Sequence, residues 1–313
     1  MHEKRQHQLL MVMNAKQYKY VYTLAQEGSF SRAADTLGIS QPSLSQYIKK
    51  IECEIGADLF ERTNGEVRIT DAGRIFVDAG RKIQDIEHRM ANAIADLAAF
   101  KTGSLIVGTS PYRAAGMLPL AAAAFHRIHP GMHLVVREGT TVELQEGIEH
   151  GEYDLALTLL PVDLQEFQYK KVAEEELILA VPCSFEAFPA RMIDGRRFPA
   201  VDPKVLQGKP VVMLTDTQYM QRQLDRLIRD NQLQVQTAAV VKSLEAQIEM
   251  VKVGVGLALM PCGIEHFCRE SEVTFYSLAQ VLPKREVVAM WRREQPLSKA
   301  AESFLSVLQT IAW

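Results

Sequence analysis

Three groups of polar residues in this chain have the types and spacing to do chemistry. The first is the run SQPSLSQYIKK at residues 40–50. Leu44, Ile48 and Ile51 repeat at i, i+4 and i+7, so a helix here turns an apolar face inward. Gln41, Pro42, Ser43, Ser45, Gln46, Lys49 and Lys50 then face outward. Such a polar first turn suits the edges of DNA bases. Gln can bond an adenine edge twice, Ser can meet base or phosphate, and a proline ring can touch a thymine methyl. Lys49, Lys50, Arg32, Arg62 and Arg68 are candidates for phosphate contact, which needs only charge and reach.

The second group consists of hydroxyls that follow strand-like apolar runs. GTSPYRAAG carries Ser110 and Tyr112, REGTT carries Thr140 and Thr141, and MLTDTQ carries Thr215. In open α/β sheets, ligands bind beyond the carboxyl ends of strands, where such residues sit. A helix cap is the competing role for each hydroxyl, and for Thr141 the two are evenly matched. Arg113 can pair with a carboxylate or lie on the surface. The third group is His126, His129 and His133, which resemble a metal cluster, but Pro130 breaks the helix between them. No metal or catalytic residue is expected. Cys53, Cys183, Cys262 and Cys268 form no CxxC pair, and no basic cluster flanks them to activate a thiol.

The elements that position these groups can be read from periodicity. Tyr18, Val21, Tyr22 and Leu24 share a helical face that ends at Gly28. A second short helix follows, with Ser31 as its expected N-cap, Ala33, Ala34 and Leu37 inside, and Gly38 as its stop. The third helix begins after Ser40, with Pro42 in a first turn that has no donor to lose. Two helices joined tightly through Gly38 and Ile39 make a helix-turn-helix. Asn64-Gly65 between Leu59–Arg62 and Val67–Thr70 is a hairpin signal, hence a wing. Thr70 and Asp71 then cap a long helix over about 72–100. It carries Ala79, Ile83, Ile86, Met90, Ala93 and Leu97 at alternating spacings of four and three. That is a coiled-coil seam, and Ile83, Ile86, Met90 and Leu97 are expected to pair two copies of the chain. From Gly103 on, strand-like runs alternate with amphipathic helices in two tandem α/β halves.

Composition narrows the function classes. The net charge is −3 over 313 residues, so no global positive field draws in nucleic acid. Within 14–74 the basic Lys16, Lys19, Arg32, Lys49, Lys50, Arg62, Arg68 and Arg74 are matched one for one by Glu27, Asp35, Glu52, Glu54, Asp58, Glu61, Glu66 and Asp71. DNA affinity must then come from the arrangement of charge and from several modules per assembly. The start has no secretory pattern, no stretch approaches a membrane span, and a cytoplasmic location is expected. The rival class is a solute-binding protein or enzyme on the same α/β module, but no nucleophile elbow or phosphate loop accompanies it.

The chain resembles the LysR-type transcriptional regulators from about Asn14 to its end. The resemblance rests on GSFSRAADTLGISQPSLSQYIKKIECEIGADLFER, ITDAG, the linker helix, and later GMLP, FHRIHPG, VVREGTT, GEYDLAL, ELILAVP and VKVGVGLALMP. It implies an α/β chain with an N-terminal, mainly α winged helix-turn-helix and a long linker helix. Two Rossmann-like subdomains, arranged like a periplasmic binding protein, complete it. The expected boundaries are an extension at 1–13, the DNA-binding domain at 14–73, the linker helix at 74–100 and the effector-binding domain at 101–313. Within the last, subdomain I covers about 101–178 and 281–313, and subdomain II about 179–280. The resemblance also implies that Gln41, Pro42, Ser43, Ser45 and Gln46 read bases, and that Ser110, Tyr112, Thr140, Thr141 and Thr215 line an effector cleft. No cofactor is expected. The implied partners are double-stranded promoter DNA, a small effector such as a carboxylate, RNA polymerase, and further copies of the chain as a homodimer or homotetramer.

Overall fold

The computed structural model describes residues 14–63, 66–97, 103–216, 218–280 and 282–311. Its contacts define two units. One runs through the long helix and takes in Gly147–Tyr153; the other holds the remainder. Among the described residues no helix is long and apolar enough to cross a membrane.

The first unit begins with helices α1 (Ala15–Glu27), α2 (Phe30–Leu37) and α3 (Gln41–Ile55). The Asn14 side chain accepts from the Gln17 amide, and Gln17 returns the bond, so α1 starts with a reciprocal cap. Helix α2 starts earlier than Ser31 suggests, with Ser29 at its N-cap. The Ala33 amide bonds the Ser29 carbonyl, which places Ser31 inside the helix and not at its cap. At Gly38, φ is +67°, and its amide returns to the carbonyls of Ala34 and Asp35. A side chain there would be strained, so glycine permits the tight turn into α3. Val21, Leu24, Ala33, Leu44, Ile48, Ile51 and Leu59 close a dry core. Each large aliphatic side chain buried in it contributes about 1.5–3 kcal/mol.

Strands β1 (Phe60–Thr63) and β2 (Glu66–Ile69) pair antiparallel as the wing. The expected Asn64-Gly65 turn lies outside the described residues. Thr70 donates to the Asp58 carbonyl and accepts from the Gly73 amide, which starts α4 (Asp71–Leu97). Gly80 of α4 meets the Tyr18 ring so closely that a Cβ would fall 1.9 Å from it.

The second unit has two sheet systems. The first is five-stranded in the order β4-β3-β5-β13-β6. Here β3 is Gly103–Thr109, β4 Met132–Glu138, β5 Leu155–Leu159, β6 Phe167–Glu175 and β13 Arg285–Arg292. The β3 pairs are parallel and the β13 pairs antiparallel. Helices α5 (Pro111–Gly116), α6 (Leu118–Ile128) and α7 (Thr141–Glu149) follow β3 and β4, and α10 (Lys299–Thr310) follows β13. The core beneath holds Leu105, Val107, Phe125, Leu157 and Phe304.

The chain enters the second system at β7 (Leu177–Pro182), one residue after β6 ends. Strands β7, β8 (Ala200–Val201), β11 (Ala258–Pro261) and β12 (Val273–Leu278) form a sheet ordered β11-β7-β12-β8. Strands β9 (Pro210–Leu214) and β10 (Gln236–Val241) pair in parallel, and the Val211–Leu257 bridge links β9 to the residue before β11. Between them runs α8 (Tyr219–Asp230), and α9 (Leu244–Lys252) follows β10. Short 3-10 turns, Pro203–Leu206 and Cys262–Phe267, complete this half. Its core contains Leu177–Val181, Leu224, Ile248 and Met260.

Candidate functional site

The first candidate surface is the start of α3. Ser40 caps the helix through the Ser43 amide, and the Ser40 and Ser43 hydroxyls lie 2.7 Å apart. Gln41 opens the helix and Pro42 sits in its first turn, where an amide has no intrahelical partner to lose. Gln41, Pro42, Ser43, Gln46, Lys49 and Lys50 are exposed, while Leu44, Ile48 and Ile51 anchor the opposite face. Ser45 is half-buried and lines a groove of about 490 Å³ with Phe30, Lys49, Glu52 and Cys53.

The basic candidates differ in what already holds them. Arg32 pairs with Glu27 at 3.6 Å, and Lys50 with Glu54 at 3.8 Å. Lys49 is exposed and has no ion-pair partner among the described residues. Arg68 is exposed on β2. The Arg62 backbone lies in β1; its side chain is outside the described residues.

Helix α4 leaves its predicted seam open. Ile83, Ile86 and Met90 are 38%, 58% and 59% exposed. Ile75 and Ile94, absent from the predicted set, are also exposed and extend the apolar strip. The Leu97 side chain lies outside the described residues.

In the second unit, β3 and β4 are adjacent and parallel, with Thr109 opposite Glu138. Ser110 and Thr140 therefore emerge at the same carboxyl edge. Thr215 follows β9 at the equivalent edge of its own strand pair. Thr140 has a second duty. Its hydroxyl accepts from the Glu143 amide, and the Glu143 carboxylate accepts from the Thr140 amide at 2.7 Å. These bonds hold the Glu143 carboxyl below the usual carboxylate range. Thr141 is the exposed first residue of α7. Ser110, by contrast, makes no cap bond.

The Tyr112 ring is buried against the core of the second sheet system, 5.9 Å from the Phe267 ring, and lines a small cavity with Met117, Glu175, Cys262 and His266. Burial pushes its phenol well above the ordinary tyrosine range, with the Glu175 charge adding. Arg113 is buried too. It donates to Ser110 Oγ at 3.2 Å and to both Glu175 oxygens at 3.2 and 3.4 Å. Arg285 also donates to Glu175 and stands 5.9 Å from the Tyr219 ring. Burial lowers the Arg285 pKa, Glu175 opposes the shift and Arg113 adds to it. Two guanidinium groups thus share one carboxylate where β6 ends and β13 begins. Sequence reading did not find Glu175 or Arg285. His129 bonds Ser303 at 2.8 Å and packs on Phe125, which gives it a place between α6 and α10.

Residues 15–74 match the family described as bacterial regulatory helix-turn-helix protein, lysR family, and residues 98–312 match the LysR substrate binding domain. The chain belongs to the LysR family. It is a DNA-binding transcriptional regulator with a C-terminal effector-binding domain. Among its relatives, the uncharacterized HTH-type transcriptional regulator YcgK of Bacillus subtilis strain 168 is 25% identical, with 94% of each chain covered. The DNA-binding transcriptional dual regulator OxyR of Escherichia coli K12 is 26% identical, with 95% of each covered. The crystal structure of CbnR, a LysR family transcriptional regulator, superposes with a TM-score of 0.69 at 20% identity, over 96% of this chain and 100% of that one. At that identity the likeness concerns the fold alone. Cys183 is exposed, Cys262 is buried, and burial pushes the Cys268 thiol up to about 11, away from a reactive thiolate.

Proposed function

We propose that this regulator reads an operator with the first turn of α3 and answers to a small carboxylate bound between the two sheet systems of its second unit. The observation that carries the DNA half is the contrast along one helix: exposed Gln41, Pro42, Ser43 and Gln46 over a buried Leu44, Ile48 and Ile51 face. A helix anchored this way can enter a major groove without disturbing its own core. Gln41, Pro42, Ser43, Ser45 and Gln46 read bases. Lys49, Arg68 and Arg62 hold phosphates, with Arg32 and Lys50 exchanging their carboxylate partners for the DNA backbone.

The ligand half is supported by charge. Arg113 and Arg285 outnumber Glu175 in a buried cluster behind Ser110, and an anion is the natural complement. Ser110 and Thr140 at one strand edge and Thr215 at another supply hydroxyls. The exposed strip on α4 pairs two chains, and two such dimers make the tetramer, so each operator meets several weak modules at once. The protein works in the cytoplasm, and ligand binding changes how it presents DNA to RNA polymerase.

A gel shift on the DNA upstream of its own gene tests the reading of bases. Gln46→Ala is expected to cost about 1–3 kcal/mol on that DNA and much less on random sequence. Equal losses on both would reduce Gln46 to a general contact.

A further inference from the structure

The Ser110–Arg113 bond favours one way for the serine hydroxyl to act. Arg113 Nη1 donates to Ser110 Oγ, so one oxygen lone pair is taken, and the hydroxyl hydrogen and the second lone pair remain for a ligand. The helix does not use Ser110 as a side-chain cap, and no described residue accepts that hydrogen. Ser110 is half-buried, whereas the Arg113 and Glu175 side chains are only 7% and 8% exposed. Arg113 reaches Glu175 with Nη2 and Ser110 with Nη1, and its buried Nε has no acceptor among the described residues. Arg285 donates to the same Glu175 oxygen, Oε2, and its Nε is in the same condition. The guanidinium fork is thus set by a carboxylate at the point where the chain leaves the first sheet system.

We infer that Arg113 is a positioning residue: it occupies one lone pair of Ser110, leaves the hydroxyl hydrogen for a ligand and backs it with surplus positive charge, and so selects an effector with a carboxylate over its neutral counterpart. This rests on the proposal that the cleft takes an anion, and it assigns the discrimination to a side chain that need not touch the ligand. A neutral carbonyl can accept from Ser110 as well, but it gains nothing from the unbalanced charge behind it. Because Glu175 is shared with Arg285, ligand charge at Ser110 is also felt where β6 and β13 meet, the place where the two sheet systems are joined.

The test uses the full-length protein with acetate, pyruvate, succinate, citrate and benzoate, each beside its amide or a sodium chloride control. Thermal shift finds the acid that binds, and calorimetry gives its affinity. Arg113→Gln leaves Glu175 and Arg285 as a neutral pair, so the fold has a balanced core to keep. It is expected to weaken the acid about 10- to 100-fold while moving the amide little. Ser110→Ala should lose the same discrimination, and adding Arg113→Gln to it should cost little more, as expected for groups acting in series. Arg113→Lys keeps the charge but not the fork, and should fall between wild type and Arg113→Gln. If Arg113→Gln binds the acid like wild type, or if the two losses add in full, the positioning role is wrong and the carboxylate reading survives. If amides bind as well as acids, or no acid binds, the carboxylate reading itself fails and takes this inference with it. A merely structural role for Arg113 would lower the melting temperature and leave the acid-to-amide ratio unchanged.

Discussion

Ile86→Ala on α4 tests the pairing of chains with little risk to the fold. Ile86 is 58% exposed in the single chain, so its outer half has no packing to lose. Fully burying an isoleucine is worth about 1.5–3 kcal/mol; drying the exposed part gives about 1–1.5 kcal/mol per chain. A symmetric pair loses this twice, or about 2–3 kcal/mol, which raises the dimer Kd roughly 30- to 150-fold. Alanine is the better helix former, so α4 itself should not melt. Sedimentation velocity over a dilution series measures the Kd, and far-UV circular dichroism confirms the helix. Glu87→Ala, at an exposed position beside the seam, is the control. If Ile86→Ala leaves the Kd unchanged, or Glu87→Ala shifts it equally, α4 does not pair through this strip. Where the dimer is lost, DNA binding should weaken more than the dimer Kd alone implies at low protein, because a charge-neutral module depends on avidity.

Three other perturbations follow from named contacts. Glu175→Gln strands two buried guanidinium groups and should cost about 3–5 kcal/mol in urea unfolding, clearly more than Arg113→Gln, which leaves one balanced pair; equal costs would contradict the shared-carboxylate account. Gly80→Ala should destabilise the first unit although alanine gains about 1 kcal/mol of helix propensity, because its Cβ would meet the Tyr18 ring at 1.9 Å and overpacking costs roughly 1–3 kcal/mol; a rise in melting temperature would refute this. Cys268, its thiol pushed up to about 11 chiefly by burial, should alkylate about tenfold faster per pH unit from roughly pH 8 to 10, followed by peptide mass spectrometry, and a plateau near pH 9 would refute the assignment.

The DNA-reading unit was legible because its signals are local. Ser40, Gly28, Gly38 and the Leu44, Ile48, Ile51 spacing act within one or two turns of helix, and each does in the structure what its position suggests. Strand β6 was not legible. Of Phe167–Glu175 only the two ends are buried, and Gln168 to Lys171 face solvent. That is what an edge strand needs to discourage pairing, so its charge hides its conformation from any hydrophobic pattern. The depth of Tyr112 was not legible either: its ring packs into the core of the second sheet system while it lines a small cavity with Met117, Glu175, Cys262 and His266, contacts set by tertiary packing alone.

The same limit explains the glutamates. In sequence, Glu174, Glu175 and Glu176 form a short acidic run of the kind that usually coats a solvated surface. In the fold each has a different fate. Glu174 is exposed and meets Lys171 and Lys284 at 3.1 and 2.9 Å. Glu175 is buried between Arg113 and Arg285, and Glu176 is buried against Arg196 at 2.8 Å. Their partners lie 62 and 110 residues from Glu175 and 20 from Glu176, too far for a sequence window to connect. Surface lysine pairs are worth little, but a buried carboxylate must be matched or its pKa and the fold both shift. Placing two such carboxylates where β6 gives way to β7 ties the crossing to arginines from α5, from β13 and from the loop before β8. A change of charge at any one of them therefore acts on the crossing as a whole, which is where a ligand bound as proposed would exert its effect.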